Sequence, residues 1–169
     1  TAALGYAQAS GIRFEIGLLR NHYVGRTFID PTQNVREQKV KLKFNPIEGV
    51  LKNKRVCVVE DSIVRGTTLK ILCRMLRNAG ALEVHIRIAS PPVTSPCFYG
   101  MDFPSLGELA ASSMTPLEIA KMLGVESLGY LSVDGMKACT GQPADYCAAC
   151  FDGVYPDFTG NDSTKTRCG

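Results

Sequence analysis

The stretch Val56-Cys57-Val58-Val59-Glu60-Asp61-Ser62-Ile63-Val64-Arg65-Gly66-Thr67-Thr68 decides how this chain folds. It opens on an apolar run with β-branched residues and no polar alternation, the pattern of a strand buried on both faces in the middle of a parallel sheet. The run stops at two carboxylates, and in open α/β sheets ligands collect at that end of the strands. Glu60 and Asp61 are acceptor-only when ionised, which suits ribose hydroxyls or a hydrated Mg²⁺. Ser62, Ile63, Val64, Arg65, Gly66, Thr67 and Thr68 then bring hydroxyls, backbone N–H groups and the start of a helix. That combination binds anions without a lysine. Gly66 allows close backbone approach, and Arg65 adds positive charge. Together the three parts suit a phosphorylated sugar.

Working outward, Leu69, Leu72, Cys73 and Leu76 recur at helical spacing until Gly80. Leu82, Val84, Ile86 and Ile88 then alternate with Glu83, His85 and Arg87, which predicts a strand with one wetter face. Strand, turn, helix and strand make a βαβ unit, which implies a right-handed crossover in a parallel sheet. Thr115-Pro116-Leu117-Glu118 is a capping box with proline at the first helical position, opening a helix that ends near Gly124. Leu128 to Leu131 reads as a short strand, and beyond Asp134 the pattern is mostly irregular. Upstream, Thr1 to Ser10 reads as the tail of a helix and Arg13 to Leu19 as a strand. A chain that opens inside an element points to an α/β fold incomplete at its N-terminus.

Residues 26–45 alternate charges with turn formers (Asp30-Pro31-Thr32, then Arg36, Glu37, Lys39, Lys41 and Lys43) over a length typical of lids or solvated loops. The formal net charge of +3 is too small to argue for a nucleic-acid partner. No apolar run approaches the roughly 20 residues of a membrane span and no signal peptide opens the chain, so an intracellular protein is expected, a lost organellar transit peptide notwithstanding.

Seven cysteines is a high count. Cys57 and Cys73 fall at core positions, and Cys168 lies in the polar tail. Cys97, Cys139, Cys147 and Cys150 remain. In a reducing compartment metal binding explains them better than disulfides. Cys147-x-x-Cys150 lets two thiolates grip one metal centre, with structural Zn²⁺ and free thiols as the alternatives. His22 and His85 read as surface residues.

The Glu60–Thr68 segment closely resembles the phosphoribosyl pyrophosphate (PRPP) motif of type I phosphoribosyltransferases. Together with Tyr23-Val24-Gly25-Arg26-Thr27-Phe28-Ile29, Ser90-Pro91-Pro92, Pro96-Cys97-Phe98-Tyr99-Gly100 and Cys147-Ala148-Ala149-Cys150-Phe151, in that order, it resembles the amidophosphoribosyltransferases, glutamine-dependent enzymes that begin purine synthesis. The match runs from near Thr1 to about Tyr155. It implies the parallel-sheet, Rossmann-like type I phosphoribosyltransferase fold over residues 1–132, with 26–45 as the loop that closes over PRPP. An irregular cysteine-bearing segment over 133–158 and a disordered tail over 159–169 complete the expected organisation.

The implied reaction is attack of ammonia on the anomeric carbon of PRPP, giving 5-phosphoribosylamine and pyrophosphate, with the ammonia drawn from glutamine in a glutaminase domain that this chain lacks. On that reading the chain alone is inactive. Glu60 and Asp61 serve the ribose and Mg²⁺, with Glu60 standing where the family usually has Asp. Arg26, Lys39 and Lys41 are the candidates for excluding water and neutralising pyrophosphate as the lid closes. Many relatives hold a structural [4Fe–4S] cluster on four cysteines; Cys97, Cys147 and Cys150 match three, and the fourth is expected before Thr1. The resemblance further implies a cytoplasmic homo-oligomer inhibited by purine nucleotides. Two other functions fit the same motifs: a non-catalytic PRPP-sensing module, and a metal-cluster interaction domain with a vestigial pocket.

Overall fold

The computed structural model describes residues 1–21, 40, 42–101, 105–141 and 146–156. Residues 55–88 form strand β3 (Arg55–Glu60), helix α3 (Thr67–Asn78) and strand β4 (Glu83–Ile88). β4 pairs in parallel with β3, Val58 opposite Ile86 and Glu60 opposite Ile88. Strand β5 (Ser127–Tyr130) adds to the other edge of β4, also in parallel, with Ile88 opposite Tyr130. The order β3-β4-β5 corrects one expectation: among the described strands the alternating β4 is central and β3 lies at an edge.

Alternation explains how β4 takes the central place. Val84, Ile86 and Ile88 are all but fully buried against α3 and helix α5 (Pro116–Leu123), where Leu69, Cys73, Leu76, Ile119 and Leu123 meet them. Removing each such side chain from water contributes about 1.5–3 kcal/mol. The opposite face carries Glu83, His85 and Arg87. His85, expected at the surface, is half-buried there, with Nδ1 2.8 Å from Ser127 Oγ and Nε2 2.9 Å from Glu83 Oε2; Arg55 donates to the same Glu83 oxygen at 2.6 Å.

Helix α1 (Ala2–Ser10), the helix expected over Thr1 to Ser10, ends on Gly11 in the left-handed conformation and lies beside Cys57 and Val59 of β3 without burying any of its own residues. Cys57 is therefore half-buried rather than in the core. The expected strand from Arg13 shrinks to β1 (Leu18–Arg20), which pairs antiparallel with β2 (Phe44–Pro46) in a separate ribbon. Phe14 and Ile16 stay exposed, and among the described residues no strand pairs with them. The stretch expected to be a loop as far as residue 45 thus ends in ordered structure. Val40 is 2% exposed, packed with Ile71 and Leu72 of α3 and with Phe44.

Short helix α2 (Glu48–Leu51) joins the ribbon to β3. A 3-10 turn (Leu106–Glu108) and helix α4 (Ala110–Ser113) precede α5, whose capping box is formed as predicted: Thr115 Oγ1 accepts from the Glu118 N–H, and the Thr115 N–H donates back to Glu118 Oε2 at 2.7 Å. Beyond Asp134 the chain is less irregular than expected. Helix α6 (Val133–Ala138) starts on Ser132, whose hydroxyl accepts the Gly135 N–H at 3.0 Å, and helix α7 (Ala149–Asp152) carries Cys150. The expected tail, residues 159–169, lies outside the described residues. No described helix is long and apolar enough to cross a membrane.

Candidate functional site

β3 ends at the carboxylate pair. The Glu60 carbonyl is tied to the end of β4 by the Ala89 N–H at 2.9 Å. Its side-chain Oε1 accepts the Asp61 N–H at 3.3 Å, and Asp61 Oδ1 accepts the Ser62 hydroxyl at 3.1 Å. Burial pushes the Glu60 carboxyl above the usual carboxylate range; the Asp61 N–H opposes that rise and the Asp61 charge reinforces it. Two adjacent carboxylates with one half-buried call for a cation or hydroxyl donors between them. Donors of this kind fit Mg²⁺, which takes one or two carboxylates and fills its remaining positions with water and phosphate oxygens. Among the described residues, though, no group of three or more His, Cys, Asp or Glu side chains forms a metal site.

The turn that follows is anchored from inside. Ile63, 2% exposed, plugs into the main core, so only its backbone faces the ligand side. The Val64 carbonyl accepts the Ala110 N–H at 2.8 Å, pinning the turn to the start of α4. Gly66 caps α3 with φ +74°, and no side chain caps the helix. Among the described residues, the N–H groups from Ser62 to Leu69 donate to no protein acceptor. A turn whose amides are unspent at the open end of a twelve-residue helix, with Thr67 and Thr68 exposed beside it, can receive an anionic oxygen. Arg65 Nη2 sits 2.8 Å from Glu108 Oε1, a contact that no sequence signal indicated.

The cysteines form a second focus. The N–H groups of Thr94 and Ser95 both donate to the Cys150 carbonyl, at 3.0 and 3.1 Å, and Thr94 Oγ1 donates to the Phe151 carbonyl. Tyr155 Oη donates to the Pro96 carbonyl at 2.6 Å while its ring packs on Phe98, centroids 5.0 Å apart. The Cys97 loop and the Cys150 helix are thereby joined. Burial pushes the Cys150 thiol up, and the neighbouring Cys97 and Cys147 push it further. Among the described residues, however, the three cysteines singled out in the sequence do not form a group of three or more metal-binding side chains. Cys139 is exposed, whereas Cys73 is a core thiol pushed up to about 11 by burial.

No family model matches the chain. Over 156 residues, 92% of its length, it is 55% identical to the amidophosphoribosyltransferase of Synechocystis sp., and over 165 residues it is 52% identical to the chloroplastic amidophosphoribosyltransferase 2 of Arabidopsis thaliana. The chain is a relative of the amidophosphoribosyltransferases. It spans 32% and 29% of those two proteins, so it compares with under a third of each. Among solved structures, the glutamine PRPP amidotransferase of B. subtilis, complexed with ADP and GMP, superposes with a TM-score of 0.79 at 50% identity, covering 92% of this chain and 35% of that one. A structure of the allosteric regulatory enzyme of purine biosynthesis superposes at 0.82 and 48% identity, over 96% and 36%.

The parallel sheet and its helices are therefore the type I phosphoribosyltransferase fold of the amidophosphoribosyltransferases. Glu60 to Thr68 form one continuous edge of it. Arg26, Lys39 and Lys41, the lid candidates, lie outside the described residues, as do Tyr23 to Ile29. Reading the sequence missed Glu108 and Ala110, which brace the turn, and Thr94, Ser95 and Tyr155, which brace the cysteines. Each of these contacts joins residues far apart in the chain, where no local pattern reports it.

Proposed function

We propose that this chain is the PRPP-binding part of an enzyme that transfers glutamine-derived ammonia to the anomeric carbon of PRPP, yielding 5-phosphoribosylamine, pyrophosphate and glutamate, the first committed step of purine synthesis. The observation that carries the reading is the row of unspent amides from Ser62 to Leu69 beside the Glu60–Asp61 pair. The names of the relatives support it, because the similarity runs through this edge.

In this reading the turn amides and the hydroxyls of Ser62, Thr67 and Thr68 hold the 5′-phosphate, with Arg65 adding charge. Glu60 and Asp61 accept the ribose hydroxyls, fixing the anomeric carbon for attack along one face. The same carboxylates would hold Mg²⁺, which when bound spreads the charge of the departing pyrophosphate. Arg26, Lys39 and Lys41 close over the sugar, exclude water that would compete with ammonia, and offset the pyrophosphate charge. Val40, lying between two of them in sequence, packs on α3 and gives that lid a fixed end. No side chain forms a covalent bond to the sugar. Ammonia arrives from a glutaminase unit outside the residues of this chain.

Cys97, Cys147 and Cys150 would hold a [4Fe–4S] cluster with one further donor, a structural cross-link between loop and helix. A cationic metal centre would favour the ionised form of these thiols. Purine nucleotides as inhibitors agree with the ADP and GMP bound in the B. subtilis relative, and assembly as a homo-oligomer completes the proposal. The relatives include bacterial and chloroplastic proteins, which suits the cytoplasm or a plastid.

The test is turnover by the intact protein with glutamine, PRPP and Mg²⁺, following pyrophosphate and glutamate together. The reading requires equal release of both and loss of pyrophosphate release in Asp61→Asn. Heat of PRPP binding without turnover would identify a sensing module instead, and no heat at all a vestigial pocket.

A further inference from the structure

The segment 105–110, which the reading above does not use, meets the phosphate turn twice. Arg65 Nη2 and Glu108 Oε1 are 2.8 Å apart, and the Ala110 N–H donates to the Val64 carbonyl at 2.8 Å. Glu108 has its second oxygen occupied as well, accepting the Ser105 hydroxyl at 3.2 Å. Beneath it the strut is rooted in the core, since Leu109 and Ala110 are 1% and 5% exposed. Glu108 thus stands on a fixed base and grips the guanidinium of the turn expected to hold the phosphate.

We propose that Glu108 is a positioning residue for PRPP binding: it fixes where the Arg65 charge sits and, with the Ala110–Val64 bond, holds the turn in the shape that leaves its amides free. The inference rests on the PRPP reading of that turn. A carboxylate beside an anion site repels the anion, so this placement makes sense only if ordering Arg65 outweighs the repulsion. With Glu108 and Arg65 side chains 49% and 38% exposed, the pair contributes little to stability, and its effect shows in binding.

Calorimetric titration of the intact protein with PRPP and Mg²⁺ tests this through four proteins: wild type, Glu108→Ala, Arg65→Ala and the double variant. The expected result is affinity lower by about fivefold to tenfold in each single variant, the double variant no weaker than Arg65→Ala alone, and Glu108→Asp recovering part of the loss. Because a merely structural effect of Glu108 would persist when Arg65 is absent, two losses that multiply would overturn the inference. So would unchanged or tighter binding by Glu108→Ala, the latter making Glu108 a competitor for Arg65. If wild type shows no heat of binding, the PRPP reading itself fails, which the variants do not enter. Thermal melts of all the proteins check that each is folded.

Discussion

A Cβ built on Gly66 would stand 2.9 Å from Met122 Cε, so α5 closes directly over the turn that leads into α3. The methyl end of Met122 can move aside, but the backbone at φ +74° cannot change without rotating the neighbouring amides. A left-handed conformation costs an L-residue about 1–2 kcal/mol.

Gly66→Ala is therefore expected to lower stability by about that amount. Its effect on PRPP affinity is at least comparable, tenfold or more, about the loss of one hydrogen bond to a charged group. Urea unfolding and calorimetry on the same samples separate the two. Met122→Ala in addition should not restore binding, because the strain lies in the backbone. Affinity unchanged beside reduced stability would remove the turn from the site.

Arg77 and Glu126 close the far end of the βαβ unit. Arg77 contacts both Glu126 oxygens and donates to the Leu82 carbonyl at 2.6 Å, while Glu126 accepts the Val84 N–H at 2.7 Å. The Arg77 hydrogen bond, helped by that of Val84, holds the Glu126 carboxyl at about 2. An acid whose affinity for protons falls on folding stabilises the fold above its unfolded value, near 4.5, and loses that contribution as pH drops through about 2. Both side chains are about a third exposed, so solvent screening reduces the contribution to about 1 kcal/mol. Glu126→Gln should lose about that much at pH 7, and its stability should fall less steeply than wild type between pH 4.5 and 2. Chemical denaturation across that pH series is the measurement, and parallel curves would contradict it.

Anaerobic reconstitution with iron and sulfide tests the cysteines. Cys97→Ala, Cys147→Ala and Cys150→Ala should each abolish the brown visible absorption in the intact protein, whereas Cys139→Ala and Cys73→Ala should retain it. A colourless wild type that binds zinc would replace the cluster with a zinc site and leave the sugar site untouched.

Thr115→Ala removes one half of the α5 capping box and should cost about 0.5–2 kcal/mol in urea unfolding, partly because the Glu118 N–H loses its acceptor. Thr115→Ser, which keeps the hydroxyl, should stay close to wild type. PRPP affinity should change little in either, which distinguishes them from Gly66→Ala.

What could be read from the sequence was local. β3, the Gly66 turn, α3 and the α5 capping box each announce themselves within a dozen residues, and each forms at the residues its pattern marks, although β3 takes an edge of the described sheet rather than its centre. The strand expected from Arg13 failed for a nonlocal reason: an extended segment becomes a strand only where a partner exists, and β2 pairs with Leu18 to Arg20 alone. The position of β4 at the sheet's centre likewise depends on β5 arriving on its far edge. Helices α6 and α7 are too short to show a period. In the site, the carboxylates and the turn were legible because they are contiguous. Glu108 was not, since only the folded chain carries it to Arg65.

The joint between the Cys97 loop and α7 binds segments 55 to 59 residues apart in sequence through two main-chain bonds, one threonine hydroxyl and one tyrosine hydroxyl. With so few bonds across it, this joint is expected to open more readily than the sheet beside it. Amide protons of Thr94 and Ser95 should accordingly exchange with solvent before those of β4, and an ion clasping the thiols on either side would latch the joint shut.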